Sequence, residues 1–348
     1  MKAVVLHDAD DMRVEDRPVP SPGPGEALLK IKAASICGTD VKVLHRALMG
    51  QPAGAFIMGH EYAGIVAALG SDIDEFVVGD RVAVEVHKGC ERCENCVKGW
   101  YTSCLNYGDL AKGHRANGLT CDGGFAEYAV NHVNTLYRLP DNVTFDEACM
   151  VTTAASPLWA IDLMGGYVAG ETVLVLGPGP IGLLAVQLCK ALGAACVILS
   201  GTRDSRLQIG RRLGADYTVN VRADNLAKRV AEITRRRGAD SVLECAGGAT
   251  SMQDALECVK RGGRIGVVAW YSGPVQVDLN LAVRSNVRIY AARGEGGMNC
   301  GRSLSLMSTG KLQVDPIITH HFALDQIHGA FRTYTERIDN ALKVVIHV

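Results

Sequence analysis

The chain contains 348 residues, of which 48% are hydrophobic and 21% charged, and its formal net charge at pH 7 is −1. This length and composition are typical of a globular protein with about two domains and exclude a disordered chain. Because the charge is nearly balanced, we expect no bulk electrostatic attraction to nucleic acid or to an anionic membrane.

No segment has the features of an export signal or a membrane anchor. The first residues, Met1–Leu6, have a strand-like pattern and lack the apolar core of a signal peptide. The longest apolar run, near Thr172–Leu176, is too short to span a bilayer. We therefore expect a cytoplasmic protein without a membrane partner.

The first part of the chain, residues 1–152, is predicted to form a mainly β domain. Its short strand-like stretches are separated by glycine and proline, which mark turns. These stretches lie at residues 3–6, 26–33, 64–69, 80–86 and 127–130. The pattern is typical of a small, partly antiparallel β domain.

Three potential metal ligands lie in this first domain. Cys37 begins the sequence Cys37-Gly38-Thr39-Asp40, and His60-Glu61 follow 23 residues later. A thiolate, an imidazole and a carboxylate would leave one zinc position open for water or substrate, as catalytic zinc sites require. Taken alone, an isolated cysteine or histidine is more often a packed residue than a ligand.

Four of the twelve cysteines are clustered within fifteen residues, at Cys90, Cys93, Cys96 and Cys104. In a cytosolic protein such a cluster indicates a metal site rather than disulfides. Four thiolates suit a closed tetrahedral zinc site, which stiffens a loop and performs no chemistry. The alternatives are an iron–sulfur cluster and a redox-active pair, although the last spacing differs from ferredoxin-type sequences.

The pattern changes after residue 152. Short apolar runs, the first at Thr172–Leu176, alternate with helical patterns, the first at Ile181–Leu192. This alternation predicts an α/β domain with a parallel, doubly wound sheet over residues 153–287. Residues 288–348 end in a strand-like stretch, Ala341–Val348, and are predicted to return to the first domain.

The first apolar run of this α/β domain leads into a glycine-rich turn. The turn reads Gly177-Pro178-Gly179-Pro180-Ile181-Gly182, which matches the G-x-G-x-x-G pattern. The pattern alone is weak evidence, but here it follows a strand and opens a helix, as a dinucleotide-binding turn does. The helix N-terminus would then face the pyrophosphate. An ordinary strand–helix turn is the alternative.

The next strand suggests which dinucleotide is bound. It ends in Gly201-Thr202-Arg203 without a carboxylate at the tip. Arg203, together with Arg206, is predicted to pair with a 2′-phosphate, and Thr202 to donate a further hydrogen bond. This favours NADP over NAD. In the alternative, Arg203 is a solvated charge and Asp204 contacts the ribose of NAD.

Over essentially its whole length the chain resembles the zinc-containing medium-chain dehydrogenases, the group with sorbitol, threonine and classical alcohol dehydrogenases. It is most similar to the polyol and threonine branch. The matching motifs occur in family order around the four-cysteine cluster and residues 177–182, and they include Gly59-His60-Glu61-x-x-Gly64-x-Val66, Val78-Gly79-Asp80-Arg81-Val82, Gly123-Gly124-x-Ala126-Glu127-Tyr128 and Gly262-Gly263-Arg264.

The resemblance implies a GroES-like, mainly β catalytic domain, a Rossmann-type domain and two zinc ions, one catalytic and one structural. Cys37 and His60 would bind the catalytic zinc, Glu61 would bind or release it as water exchanges, and Thr39 would contact the substrate hydroxyl and start a proton relay. The chain has Lys42 where many relatives carry a relay histidine, and Thr153 where many carry another ligand. Lys42 would need a pKa lowered by burial to pass a proton.

We therefore predict an NAD(P)-dependent zinc oxidoreductase that converts a secondary alcohol or polyol to the ketone or aldehyde. By analogy we expect a homo-oligomer, a dimer or tetramer. Arg293 and Glu295 are candidate specificity residues, with an exposed loop as the alternative. Two other functions are a zinc-independent enone reductase and a zinc-finger-like nucleic-acid-binding or structural protein that uses Arg235–Arg237 for phosphate contacts.

Overall fold

The computed structural model describes all 348 residues, which form two compact units. The first unit contains Met1–Thr152, Gly294–Ser308 and Ile318–Val348, and the second contains Thr153–Arg293 and Thr309–Ile317.

The observed division differs from the predicted ranges 153–287 and 288–348 at its C-terminal boundary. Residues 288–291 form a strand of the second unit's sheet, so this unit continues to Arg293, and it also includes Thr309–Ile317. Three of the four residues in that strand are exposed, so no apolar run marks it in the sequence.

Residues 1–150 form short strands and three short helices of the first unit. The strands are β1 (Lys2–Asp8), β2 (Asp11–Asp16), β3 (Glu26–Ile36), β4 (Phe56–Ile57), β5 (Tyr62–Leu69), β6 (Arg81–Val84), β7 (His87–Lys88), β8 (Arg115–Ala116), β9 (Tyr128–His132) and β10 (Leu136–Arg138). The helices are α1 (Gly38–Leu44), α2 (Glu94–Val97) and α3 (Phe145–Ala148).

The second unit alternates strands and helices, as the sequence predicts. After α4 (Val151–Leu163), its elements are β11 (Thr172–Leu176), α5 (Pro180–Ala191), β12 (Cys196–Gly201), α6 (Asp204–Arg212), β13 (Tyr217–Asn220), α7 (Leu226–Ile233), β14 (Ala239–Glu244), α8 (Ser251–Cys258), β15 (Val259–Val267), α9 (Leu279–Ser285) and β16 (Arg288–Ala291).

The six strands of the second unit form one parallel sheet in the order β13-β12-β11-β14-β15-β16. This is the strand order of a doubly wound dinucleotide-binding fold, which confirms the predicted fold class. The order reverses between β11 and β14, and ligands of such sheets bind beyond the carboxyl ends of the strands at this point.

The chain then returns to the first unit through α10 (Asn299–Ser308), β17 (Ile318–Ala323), α11 (Ile327–Glu336) and β18 (Lys343–His347). The largest sheet of this unit has the order β10-β6-β5-β3-β18-β17, and β9 also pairs with β3. The final strand therefore lies next to the strand that precedes Cys37.

Each unit has its own apolar core. Buried side chains of the first unit include Leu29, Ile36 and Tyr62, and those of the second include Leu174, Ile198 and Val242. Burial of such side chains is the main driving force for folding. No helix in the structure combines the length and the apolar character needed to cross a bilayer.

Candidate active site

Two strand ends of the first unit bring the predicted ligands Cys37, His60 and Glu61 together, and the start of a third strand adds Lys343. Cys37 follows β3, His60 and Glu61 precede β5, and Lys343 begins β18, which is antiparallel to β3. Because antiparallel neighbours run in opposite directions, these ends meet at one edge of the sheet. The ligand atoms of Cys37, His60 and Glu61 all lie within 4.8 Å of one another.

The buried carboxylate of Asp40 orients two of these ligands. Its Oδ2 atom accepts a hydrogen bond from the backbone N–H of Cys37 at 2.8 Å, and its Oδ1 atom lies 2.8 Å from Nδ1 of His60. With Nδ1 engaged, Nε2 remains as the imidazole nitrogen that binds a metal. This role of Asp40 was not predicted, although an acidic residue three positions after Cys37 is the signal of a capped helix start.

The surroundings of His60 favour a positive charge. Burial lowers the pKa of its imidazole, but the Asp40 carboxylate and the Cys37 sulfur raise it by more, so the pKa lies well above its ordinary value. The space beside His60 and Cys37 therefore attracts a cation, which is the electrostatic condition for a metal site.

Glu61 is held by side chains from two neighbouring strands. Its Oε2 atom accepts a hydrogen bond from Ser35 Oγ at 2.5 Å and a charge-assisted one from Lys343 Nζ, and all three residues are buried. Burial raises the pKa of Glu61, but the Lys343 and His60 charges outweigh it and keep the pKa below its ordinary value. Glu61 is thus an anion at neutral pH.

Neither partner of Glu61 is among the residues predicted from the sequence. A signal for one of them existed, because Lys343 is the only charge in the apolar stretch 341–346. A buried lysine is rarely found without a paired charge. Ser35 gave no comparable signal, since a serine inside a strand is common.

The two predicted relay residues lie on α1. The Thr39 hydroxyl is 3.9 Å from the Cys37 sulfur. Burial lowers the pKa of Lys42, which is the direction that a proton-passing role requires. Tyr334 of α11 was not predicted, and its hydroxyl lies 3.6 Å from the point where a side chain at Gly38 would begin.

Thr153 belongs to the second unit, whereas Cys37, His60 and Glu61 belong to the first. It is buried within α4 and is the first residue of the second unit. A threonine hydroxyl is a poor zinc ligand, so Thr153 is not assigned to the metal site.

The four clustered cysteines surround one point in the loop between β7 and β8. Their sulfur atoms lie within 4.8 Å of one another, and the Cys90–Cys96 and Cys93–Cys104 sulfur distances are both 3.9 Å. Four sulfurs at 2.3 Å from a tetrahedral zinc ion are separated by about 3.8 Å. The spacing therefore fits one zinc ion, and it is too long for disulfides.

Backbone and side-chain donors favour the thiolate form of Cys90 and Cys93, whereas burial raises the pKa of Cys96 and Cys104. The Cys93 N–H points to the Cys90 sulfur at 3.4 Å, and the Asn106 side chain donates to the same sulfur at 3.2 Å. Donors of this kind, led by the backbone N–H of Arg92, lower the pKa of Cys90 to about 5. A thiolate is the form that binds metal, so the lobe formed by residues 90–104 fits the predicted structural zinc.

The glycine-rich turn connects β11 to α5 as predicted. Gly177 has φ +94°, and a side chain there would approach Ala246 to 2.8 Å, so only glycine fits. A side chain at Gly182 would collide with the carbonyl of Gly177. Helix α5 begins at Pro180, with Gly179 as its N-cap, and its free backbone N–H groups can bind a phosphate.

The residues predicted to choose the dinucleotide follow β12. Gly201 is the last residue of that strand, Thr202 is exposed, and Arg203 is the N-cap residue of α6, with Arg206 in its first turn. Asp204, the nearest carboxylate, accepts a hydrogen bond from the Asn220 amide at 2.8 Å.

Glu295 does not lie on an exposed loop. It is buried, accepts a hydrogen bond from the Val86 N–H at 2.8 Å and lies 3.2 Å from Nδ1 of His87. The exposed-loop alternative is therefore wrong for Glu295, whereas Arg293 is half-buried.

A second buried carboxylate, Glu85, lies in the same part of the first unit. The Tyr101 hydroxyl donates a hydrogen bond to the Glu85 carboxylate. The Tyr137 hydroxyl donates another, at 2.6 Å to Glu85 Oε2. Burial, and next the negative charge of Glu295, raise the pKa of Glu85 to about 8. Tyr101 belongs to the four-cysteine lobe, and the His60 charge is one of those that lower the pKa of Glu295. No sequence pattern indicated these buried acids.

Two family models match the chain. The alcohol dehydrogenase GroES-like domain matches residues 23–141, and the zinc-binding dehydrogenase model matches residues 180–308. Together they cover most of both structural units. The GroES-like and Rossmann-type expectations are therefore confirmed.

Individual proteins agree with this result. An L-threonine 3-dehydrogenase of Pyrococcus horikoshii is 36% identical over 90% of this chain and 89% of its own length. A sorbitol dehydrogenase of Bacillus subtilis is 30% identical over 100% of this chain and 97% of its own. The crystal structure of a zinc-binding dehydrogenase from Sinorhizobium meliloti 1021 bound to NADP superposes with a TM-score of 0.90, at 28% identity, over 100% of this chain and 99% of that one.

Proposed function

The chain belongs to the zinc-dependent medium-chain alcohol dehydrogenase family, and from this premise we propose that Cys37, His60 and Glu61 hold its catalytic zinc. As a member of this family it is an oxidoreductase that exchanges a hydride between a secondary alcohol or polyol and NAD(P). The family assignment selects this function over the enone reductase and the zinc-finger-like protein.

The proposal rests on one observation: three potential ligands lie close together, and other side chains hold them in place. Asp40 fixes the Cys37 backbone and the His60 ring, while Lys343 and Ser35 fix Glu61. Hydrogen-bond partners of the ligating side chains are typical of functional metal sites, because they orient the ligands before the ion binds. A bound zinc ion supplies Lewis acidity, which makes a substrate hydroxyl more acidic.

The residues of α1 then handle the proton. Thr39 Oγ1 accepts the proton that leaves the substrate hydroxyl and hands its own proton on towards solvent. Lys42 Nζ is the next acceptor in this proposal, because burial lowers the pKa of its amine and so favours the neutral form that can accept a proton. Lys42 thus performs the relay that many relatives assign to a histidine.

The four-cysteine lobe is proposed to hold a second, structural zinc. Its sulfur spacing matches a tetrahedral ion, and four protein ligands leave no position for substrate. This ion stiffens residues 90–104 and takes no part in hydride transfer.

NADP is the proposed cofactor. The tip of β12 carries Thr202 and Arg203 rather than a carboxylate, so a 2′-phosphate meets no like charge there. Arg203 and Arg206 lie within one turn of α6 and can pair with that phosphate. The competing carboxylate, Asp204, already receives the Asn220 amide.

A substrate panel tests the catalytic proposal. The purified protein is assayed with polyols and simple secondary alcohols, with both NADP⁺ and NAD⁺, by the absorbance of the reduced nicotinamide. We expect turnover by the wild-type protein and none by Cys37→Ser, whose circular dichroism stays native. A Cys37→Ser variant that keeps full activity would contradict the role of this site.

The cofactor proposal predicts a selective effect of Arg203→Ala. Loss of one charge-assisted phosphate contact should lower kcat/KM for NADP⁺ about 10- to 150-fold, because such a contact contributes about 1.5–3 kcal/mol. The value for NAD⁺ should change less than threefold. Equal effects on both cofactors would show that Arg203 does not read the 2′-phosphate.

A homo-oligomer in the cytoplasm is also proposed. Strand β16 lies at the edge of the parallel sheet, and Ile289 within it is 41% exposed. An edge strand with an exposed apolar side chain is a ready surface for pairing with a second chain. Light scattering of the eluted protein distinguishes a dimer or tetramer from a monomer.

A further inference from the structure

A third group of metal-binding side chains lies outside both cysteine sites. Asp146 on α3, His321 on β17 and His347 on β18 each offer one ligand atom, and these three atoms lie within 4.8 Å of one another. All three residues belong to the first unit. Neither the proposed catalysis nor the four-cysteine lobe uses them.

The register of two parallel strands places the histidines side by side. His321 pairs with Val345, and His347 lies two residues further along the same strand. Because side chains alternate between the faces of a sheet, His321 and His347 lie on the same face. Their rings are stacked with centroids 5.1 Å apart and an interplanar angle of 30°.

The Asp146 carboxylate completes this arrangement from the first turn of α3. The Nε2 atom of His321 lies 3.1 Å from Asp146 Oδ2, and Nε2 of His347 lies 3.0 Å from both carboxylate oxygens. A tetrahedral ion with bonds of about 2.0–2.2 Å holds its ligand atoms about 3.3–3.6 Å apart. The nitrogen–oxygen separations of 3.0–3.1 Å are therefore only a few tenths of an ångström shorter than those around a bound ion.

We propose that Asp146, His321 and His347 form a surface site for a divalent transition-metal ion, with Zn²⁺ as its ordinary occupant. Two imidazole nitrogens and one carboxylate suit Zn²⁺, Cu²⁺ and Ni²⁺, whereas Mg²⁺ and Ca²⁺ prefer oxygen ligands. The side chains of His321 and His347 are 48% and 53% exposed, so water completes the coordination.

Occupation of this site connects parts of the chain that are distant in sequence. The ion joins α3 to the final strand, across the 201 positions that separate Asp146 from His347. Any ion that binds the folded form better than the unfolded form stabilises it by mass action. The surface site therefore makes the stability of the first unit depend on free Zn²⁺, independently of the proposed catalytic ion.

The test is a calorimetric titration of the holoenzyme with Zn²⁺, after dialysis has removed loosely bound metal. The wild-type protein should bind one equivalent beyond the zinc that it retains. His321→Ala and His347→Ala should each weaken this binding at least tenfold. His320→Ala is the matched control, because His320 lies on the opposite face of β17, and it should bind like the wild-type protein.

Two further readouts do not depend on activity. Cu²⁺ added to the holoenzyme should give an electron paramagnetic resonance spectrum with two coordinating nitrogens, and His347→Ala should lose one of them. Added Zn²⁺ should raise the thermal midpoint of the wild-type protein but not of His347→Ala, and added Mg²⁺ should raise neither. Absence of an additional equivalent in the wild-type protein, or unchanged binding by both histidine variants, would overturn the proposal.

Discussion

The two cysteine-containing sites of this protein are built in different ways. The four-cysteine lobe takes all its sulfurs from residues 90–104, and local backbone N–H groups donate to them. The ligand set of Cys37, His60 and Glu61 comes from two strand ends and depends on Asp40, Ser35 and Lys343 for its orientation.

The two proposed sites therefore differ in whether the zinc ion keeps an open coordination position: the lobe leaves none, and the strand-end site leaves one. In the proposed function, the four thiolates of the lobe satisfy a zinc ion completely, so this ion can only stabilise the fold. The strand-end site is proposed to supply three ligands with charged positioning partners, which leaves one coordination position for substrate. We therefore expect mutations in the lobe to lower the stability of the fold. Mutations at the strand ends should lower activity or, where they leave a buried charge unpaired, stability.

The largest expected effect compares one ligand from each site. His60→Ala should lower kcat at least about 10³-fold, since a metal that polarises the substrate contributes several kcal/mol to the transition state. Cys93→Ser should instead lower the free energy of unfolding by at least about 2 kcal/mol, because it opens the structural site. Steady-state kinetics and urea denaturation of both variants measure the two effects.

Elemental analysis provides the control for this pair. Each variant should retain the zinc of the other site. If Cys93→Ser remained as stable as the wild-type protein while losing activity as strongly as His60→Ala, the distinction between the two sites would be wrong.

The next effect concerns the buried charge at the strand-end site. Lys343→Met leaves the Glu61 carboxylate buried without its cation and should destabilise the protein by about 3–5 kcal/mol. Lys98→Met is the matched control, because Lys98 pairs with Glu94 at the exposed surface and should cost less than about 1 kcal/mol. Urea denaturation compares the two, and equal losses would show that the Glu61–Lys343 pair is not a buried structural element.

A smaller effect is expected from the residue that positions both Cys37 and His60. Asp40→Asn should weaken metal affinity or activity about 10–100-fold, because the amide is a poorer acceptor for the imidazole N–H. The Asp80→Asn control removes a partly exposed carboxylate that contacts Arg138. Zinc affinity, measured with a competing chelator, should fall for Asp40→Asn but not for Asp80→Asn. An unchanged affinity of Asp40→Asn would show that Asp40 does not position the metal ligands.

A further effect depends on pH and tests the raised pKa of the buried Glu85. Because the pKa of Glu85 is raised from 4.5 to about 8, the folded protein holds a proton that the unfolded chain releases. The stabilising contribution is complete below about pH 4.5 and is lost as pH rises towards 8. Glu85→Gln should therefore gain stability relative to the wild-type protein between pH 5 and 8, by about 1 kcal/mol or more. The exposed Glu75→Gln variant should show no such trend, and parallel curves for Glu85→Gln would contradict the raised pKa.

The same contrast explains what could be predicted from the sequence. Cys90–Cys104 and the turn at 177–182 are local patterns, and the structure has the predicted geometry at both. Asp40 and Lys343 act through partners that are distant in sequence, by 20 positions for Asp40 and His60 and 282 for Lys343 and Glu61. Such contacts depend on strand register, which no local pattern reveals. Strand β16 has a different reason: three of its four residues are exposed, so no apolar run marks it in the sequence.

The most direct test of the central claim is an anomalous difference map at the zinc edge, from crystals of the dialysed holoenzyme. We predict a peak bonded to Cys37 Sγ at about 2.3 Å and to His60 Nε2 at about 2.1 Å. A map without density between these two side chains, from protein that still oxidises an alcohol, would contradict the account.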